Sequence, residues 1–255
     1  MELKFITCSG PNETTSIPEL LCMLDDFPRA EIGIQVSDRK GVKGTPRYEW
    51  IHALHQEVLR RDVRINAALH VNLRWVENLC QGIIAPELNE FLGLSYKDGK
   101  PFFQRVQLNF KIGREKDPDI DKLEAVIRHF RTHRFILSYN ESNRRLILEM
   151  YVRAVNFDCL FDESFGAGIV PESRKEPAFI DIMQGYAGGI TPDNVECELG
   201  KIVAADKSNY CTGGIYIDAH KGLEDEATHF DINKGRAYIT NAENWYRLYL
   251  LYLNR

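Results

Sequence analysis

The chain has 255 residues, 44% of them hydrophobic and 27% charged, with a formal net charge of −5. That is the composition of a soluble globular protein able to bury a large core, and the acidic balance argues against a general nucleic-acid binder, which needs a concentrated positive face. No apolar run approaches the ~18 residues of a membrane helix, and the opening MELKFITCSG, broken by Glu2 and Lys4, does not read as a secretory signal, so a cytoplasmic protein with no membrane partner is expected.

Along the chain, short runs rich in β-formers alternate with segments of helical periodicity. LKFITC at 3–8 is followed by the amphipathic PELLCMLDDF, and EIGIQV at 31–36 by YEWIHALHQEVLRR. RINAALHV at 64–71 and RVQLNF at 105–110 come next, then DIDKLEAVIRHF, RFILSY at 134–139 and NRRLILEMYVRA. FDCLFD at 157–162, FIDIM at 179–183 and GIYIDA at 214–219 complete eight strands. Runs apolar on both faces read as buried parallel strands, and eight alternating units in a chain of this length predict a single (β/α)8 TIM barrel domain over 1–255. No Pro/Gly/Ser-rich linker divides it.

Residues 80–104 are longer than one crossover helix needs and read as an elaborated βα connection. The basic run RHFRTHR reads as a solvated helix end. The aromatic C-terminus NWYRLYLLYLNR reads as a helix closing the barrel or, alternatively, as a dimer patch, leaving monomer and homodimer both open. Cys8, Cys22, Cys80, Cys159, Cys197 and Cys211 include no C-x-x-C pair, so reduced and mostly buried thiols are expected.

A TIM barrel keeps its chemistry at the carboxyl ends of its strands. There, GYAGGITPDN places Gly188 and Gly189 directly before Thr191 and Pro192, which suit the N-cap and first position of a helix. Glycines leave backbone N–H groups open to an anion, and a helix N-terminus favours negative charge. The next strand end carries Lys221 and Gly222, adding a cation beside the same spot. A phosphate held by Gly188, Gly189, Lys221 and Gly222 is the expectation, hence a phosphorylated small-molecule substrate.

These residues, taken in series, resemble phosphoribosylanthranilate isomerase, a barrel enzyme of tryptophan biosynthesis. AGGITPDNV is similar to that family's A-G-G-L-x-P-x-N-V after strand 7, IDAHKGLED to its D-x-x-S-G-V-E, TPRY to its S-x-R-Y, LHVN to its V-F-V-N and VQLN to its V-Q-L-H. The resemblance implies a barrel of the ribulose-phosphate-binding type and a cofactor-free Amadori rearrangement, in which an acid opens the ribose ring and a base removes the C2 proton. It implies Cys8 as the base, Asp162 as the acid, and Arg47 as the arginine that holds the substrate's carboxylate. Asn109 would contact substrate, and Asp218 would be an orienting or structural residue at the same mouth.

The chain also departs from that pattern. Ser9 stands where the family has glycine, Asn109 where it has histidine, and Lys221 where it has the strand 8 serine. The segment ESFGAGIVPESRKEP after Asp162 lacks the family's G-G-x-G and the following tryptophan. These differences keep two alternatives in view. One is a barrel that retained the phosphate site as a phospho-sugar or nucleotide binder. The other, a metal-dependent hydrolase, would draw on His52, His55, His70, His220 or His229, but only His70 and His220 fall near strand ends, and no metal site is expected.

Overall fold

The computed structural model describes residues 1–110, 117–162, 168–206 and 211–253. Eight parallel strands follow one another in chain order around a closed barrel: β1 (Leu3–Ser9), β2 (Ala30–Val36), β3 (Asn66–Val71), β4 (Arg105–Leu108), β5 (Arg134–Ser138), β6 (Phe157–Phe161), β7 (Gln184–Tyr186) and β8 (Ile215–Ala219). The fold is the expected (β/α)8 TIM barrel. Among the described residues no helix is long and apolar enough to cross a membrane.

By its contacts the chain forms two compact units, Met1–Ile32 with Leu160–Arg255, and Gly33–Cys159. In the first, β8 pairs with β1 on one side and β7 on the other. Helix α1 (Ile17–Asp25) turns Leu20, Leu21, Met23 and Leu24 inward at helical spacing. The long C-terminal helix α8 (Ile232–Leu253) buries Tyr238, Ile239, Ala242 and Tyr246 but leaves Leu248, Leu251 and Tyr252 exposed.

Strand β7 is not the apolar FIDIM run but the three residues QGY that follow it. Phe179 and Ile182 are buried without joining the ladder, because the Ile180 carbonyl accepts from the amides of Thr212 and Gly213 in an irregular crossing. Gly185 is required here: a Cβ would lie 2.0 Å from Cζ of Tyr216, whose ring crosses the strand at that point.

In the second unit β4 pairs with β3 and β5. Helix α2 (Pro46–Arg61) is capped by Thr45, whose hydroxyl oxygen accepts from the amide of Tyr48, and ends at Asp62 in the left-handed region. Helix α3 (Leu73–Leu79) follows β3 directly, and residues 80–104 then contain α4 (Pro86–Gly93) and an antiparallel bridge between Ser95 and Pro101. Helix α5 (Ile120–His129) is capped by Asp119 and α6 (Arg144–Val152) follows β5.

The strands of this unit are not apolar on both faces. Arg105, Gln107, Arg134 and Asp158 alternate with Val106, Leu108, Phe135 and Phe157. Asp158 is fully buried between Arg134 (Nε to Oδ1, 2.7 Å) and Arg105 (NH2 to Oδ2, 3.4 Å), so the buried carboxylate is paired with two guanidinium groups.

Candidate active site

All the residues of the expected phosphate and proton-transfer chemistry, Cys8, Asp162, Gly188, Gly189, Asp218, Lys221 and Gly222, belong to the first unit. After β7 the backbone turns left-handed at Gly188 (φ 86°) and Gly189 (φ 64°), a region that L side chains avoid. A Cβ on Gly189 would lie 2.5 Å from the amide nitrogen of Val170. On Gly222, within the 3-10 turn Lys221–Leu223, it would lie 2.5 Å from the Ile190 carbonyl oxygen. The loops after β7 and β8 therefore interlock backbone against backbone, and the glycines are needed for that packing as well as for any anion.

The helix after the glycines starts three residues later than Thr191 and Pro192 imply. Helix α7 spans Val195–Ala205 with Asn194 at its N-cap. The Asn194 side chain closes the turn before it, accepting from the Thr191 amide (2.8 Å) and donating to the Gly189 carbonyl (2.9 Å). The Thr191 amide is thus spent inside the turn. Among the described residues, the amides of Gly188 and Gly189 have no acceptor. Glu196 and Glu198 occupy the first turn of α7, so an anion here would rely on the glycine amides and the exposed Lys221 rather than on the helix end.

Arg174 holds this turn from below and was not singled out in the sequence. Its Nε and NH2 both reach Oε2 of Glu198, while NH1 donates to the Ala187 carbonyl (2.5 Å) and NH2 to the Gly188 carbonyl (3.2 Å). The signal was present on the partner: Glu198 lies in the same helical stripe as Val195, Leu199 and Ile202, a carboxylate where only apolar side chains are expected. Lys201 completes the pairing at 2.7 Å.

At the ends of β1 and β8 the register decides which side chains meet. Thr7 is paired with Asp218 and Cys8 with Ala219. Successive side chains on a strand point to opposite faces, so Thr7, Ser9 and Asp218 share one face and Cys8 lies on the other. The Ser9 hydroxyl donates to Oδ1 of Asp218 at 2.6 Å, and both residues are buried. Cys8 is wholly enclosed, and its thiol is pushed far up, first by burial and then by the charge of Asp218. A thiol so placed stays protonated at neutral pH and is a poor base.

Asp162 directly follows β6 and is half-buried; the Phe161 carbonyl accepts from the Ala187 amide, which sets the end of β6 beside the glycine turn. Residues 163–167 of the departing segment lie outside the described residues. Gly168 (φ 75°) packs over Lys221, whose Cδ would be 3.0 Å from an added Cβ.

In the second unit, Arg47 is buried on the first turn of α2 and donates to the Gln35 carbonyl at 2.6 Å, tying the helix to the end of β2. Asn109 sits in a chain of amides: Gln107 donates to Asn109, Asn109 to Asn72, and Asn72 to the His70 carbonyl, each at 2.9 Å. Among the described residues, no group of three His, Cys, Asp or Glu side chains is gathered as a metal ion would require.

No protein-family model matches the chain, and no curated protein matches it in sequence. Solved structures do. The phosphoribosyl anthranilate isomerase from Thermotoga maritima is similar with a TM-score of 0.52 at 15% identity, over 96% of this chain and 100% of that one. TrpF from Jonesia denitrificans gives 0.54 at 16% identity, over 94% and 97%. Xyn30A, a glycoside hydrolase family 30 xylanase from Clostridium acetobutylicum, also gives 0.54, at 10% identity over 95% and 72%. An isomerase and a xylanase score alike, so the likeness is one of fold, and the choice of chemistry rests on the side chains.

Proposed function

We propose that the chain is a cofactor-free isomerase of a phosphorylated sugar, carrying out the Amadori rearrangement of an N-linked phosphoribosyl amine. The observation that carries this reading is the left-handed Gly188–Gly189 turn, whose two amides have no acceptor among the described residues, together with the turn Lys221–Leu223 after β8, where Gly222 packs on residues 190–191, and the carboxylates Asp162 after β6 and Asp218 on β8.

In this reading the phosphate sits on the glycine amides, with Lys221 balancing its charge. Asp162, as the carboxylic acid, gives its proton to the ring oxygen, and the ribose opens to a Schiff base. A base then removes the C2 proton to give an enolamine, which becomes the ketone. Every step is a proton transfer, so no cofactor is called for. The reading carries with it the resembling family's place in tryptophan biosynthesis and a cytoplasmic location.

The enclosed Cys8 supports a second reading, a barrel that kept the phosphate turn and serves as a phospho-sugar or nucleotide binder. Turnover of freshly generated phosphoribosylanthranilate, followed by its fluorescence, separates the two. The isomerase reading predicts loss of signal that falls about 10²–10⁴-fold in Asp162→Asn. No turnover, in a protein still stabilised by ribose 5-phosphate, would establish the binder instead.

A further inference from the structure

We infer that the last two turns of α8 are the seam of a homodimer, in which each copy covers the exposed apolar surface of the other. The helix packs on its own barrel through Gly235, Tyr238, Ile239, Ala242 and Tyr246, a stripe at helical spacing that stops at Tyr246. The chain then stays helical for the seven residues RLYLLYL, and none of them is buried. Leu248 (61% exposed), Leu251 (58%), Tyr252 (75%) and Leu253 (53%) face solvent, and Leu250 is 37% exposed. A helical segment apolar on every side is normally buried, and Arg247 is the single charge on this one.

A second stripe starts where the first one ends. Trp245, Leu248, Tyr249 and Tyr252 recur at i, i+3, i+4 and i+7, the spacing of a helix-pairing seam, and they lie roughly 100° round the helix from the stripe that faces the barrel. The rings of Trp245 and Tyr249 are stacked, with centroids 5.3 Å apart and planes 9° from parallel, so part of the seam is ordered before a partner arrives.

Size and charge select the occupant. These side chains leave on the order of 500 Å² of mostly apolar surface open, near the largest patch of a typical monomer. Two copies laid together cover on the order of 1,000 Å², which is what a weak but specific interface needs. Because the same residues stand on both sides, a two-fold axis makes the patch self-complementary and closes the assembly at two. A lipid surface fits less well. Helices that lie on membranes are rich in Lys and Arg on their polar face, whereas this one offers Asn244 and Arg247, in a chain of net charge −5.

The test is sedimentation velocity of the full chain from about 1 to 100 µM, the range in which an interface of this size assembles. A reversible equilibrium between monomer and dimer is expected, and the emission of the half-buried Trp245 should shift to the blue over the same range. Leu251→Glu, at a position already exposed, should weaken the dimer by at least about tenfold and abolish that shift, without moving the melting temperature of the dilute monomer. Val152→Glu, which replaces an apolar side chain 83% exposed on α6, should leave the dimer as it is. A parent that stays monomeric at the highest concentration, with or without uptake by phosphatidylcholine vesicles, overturns the assignment. So does a dimer that Leu251→Glu leaves intact, because its contact then lies elsewhere.

Discussion

Arg174 meets Glu198 inside the protein with two nitrogens on a single carboxylate oxygen, Nε and NH2 each 2.7 Å from Oε2. Both side chains are almost wholly buried. Two further guanidinium hydrogens go to the Ala187 and Gly188 carbonyls, so one side chain ties helix α7 to the turn of the candidate phosphate site. Removing it by Arg174→Met would leave Glu198 buried with only Lys201, and is expected to cost about 3–5 kcal/mol in urea unfolding. Arg174→Lys should not restore the loss, because an ammonium cannot span the carboxylate and two carbonyls as a planar fork does. A cost below about 1 kcal/mol for Arg174→Met would contradict the clamp.

Two glycines of the same region should respond in opposite directions. Gly189→Ala forces a Cβ into the left-handed region and to within 2.5 Å of the Val170 backbone, so a loss of more than about 2 kcal/mol is expected. Gly200, inside α7, has open space around its Cβ position; Gly200→Ala should gain about 0.5–1 kcal/mol by helix propensity alone. Unfolding midpoints of the two variants check both signs.

The Tyr238 hydroxyl is buried with no hydrogen-bond partner among the described residues, and burial, Cys8 and Asp218 together push it well above the ordinary tyrosine range. An orphaned buried hydroxyl costs about 1–3 kcal/mol. Tyr238→Phe removes it with the ring retained, so the variant should unfold at a higher temperature than the parent. A lower melting temperature would mean that the hydroxyl has a partner.

His133 supplies a pH dependence. It is buried, and burial holds its imidazole below the ordinary 6.5, against smaller upward pulls from the Phe130 and Leu92 backbone. As pH falls below 6.5, the unfolded ring takes a proton that the folded one refuses, so its contribution is present above 6.5 and lost as pH drops. The denaturation midpoint should therefore fall between pH 7.5 and 5.5, and fall less in His133→Gln. An equal drop in both proteins would remove His133 as the cause.

Much of this architecture is legible from periodicity: the helices, the strand order and the glycine turn follow from apolar spacing and from the cap and turn residues. Where sequence reasoning missed, the deciding contact lay elsewhere in the chain. Strand β7 is QGY rather than FIDIM because Tyr216 crosses Gly185, an event no local pattern carries. The start of α7 was read at Thr191 and Pro192, and it falls instead after Asn194, whose side chain grips Gly189 and Thr191 in a turn of its own. Alternation alone says that Cys8 and Ser9 face opposite ways. Which of them shares a face with Asp218 depends on a strand pairing across 209 residues.

The central claim, that the turn after β7 with Lys221 is an anion site, is tested most directly by calorimetric titration of inorganic phosphate into the full chain. The account predicts saturable binding that weakens about tenfold in Lys221→Met, whose exposed side chain can be removed without disturbing the core. Absence of saturable binding, or binding indifferent to Lys221, would contradict it.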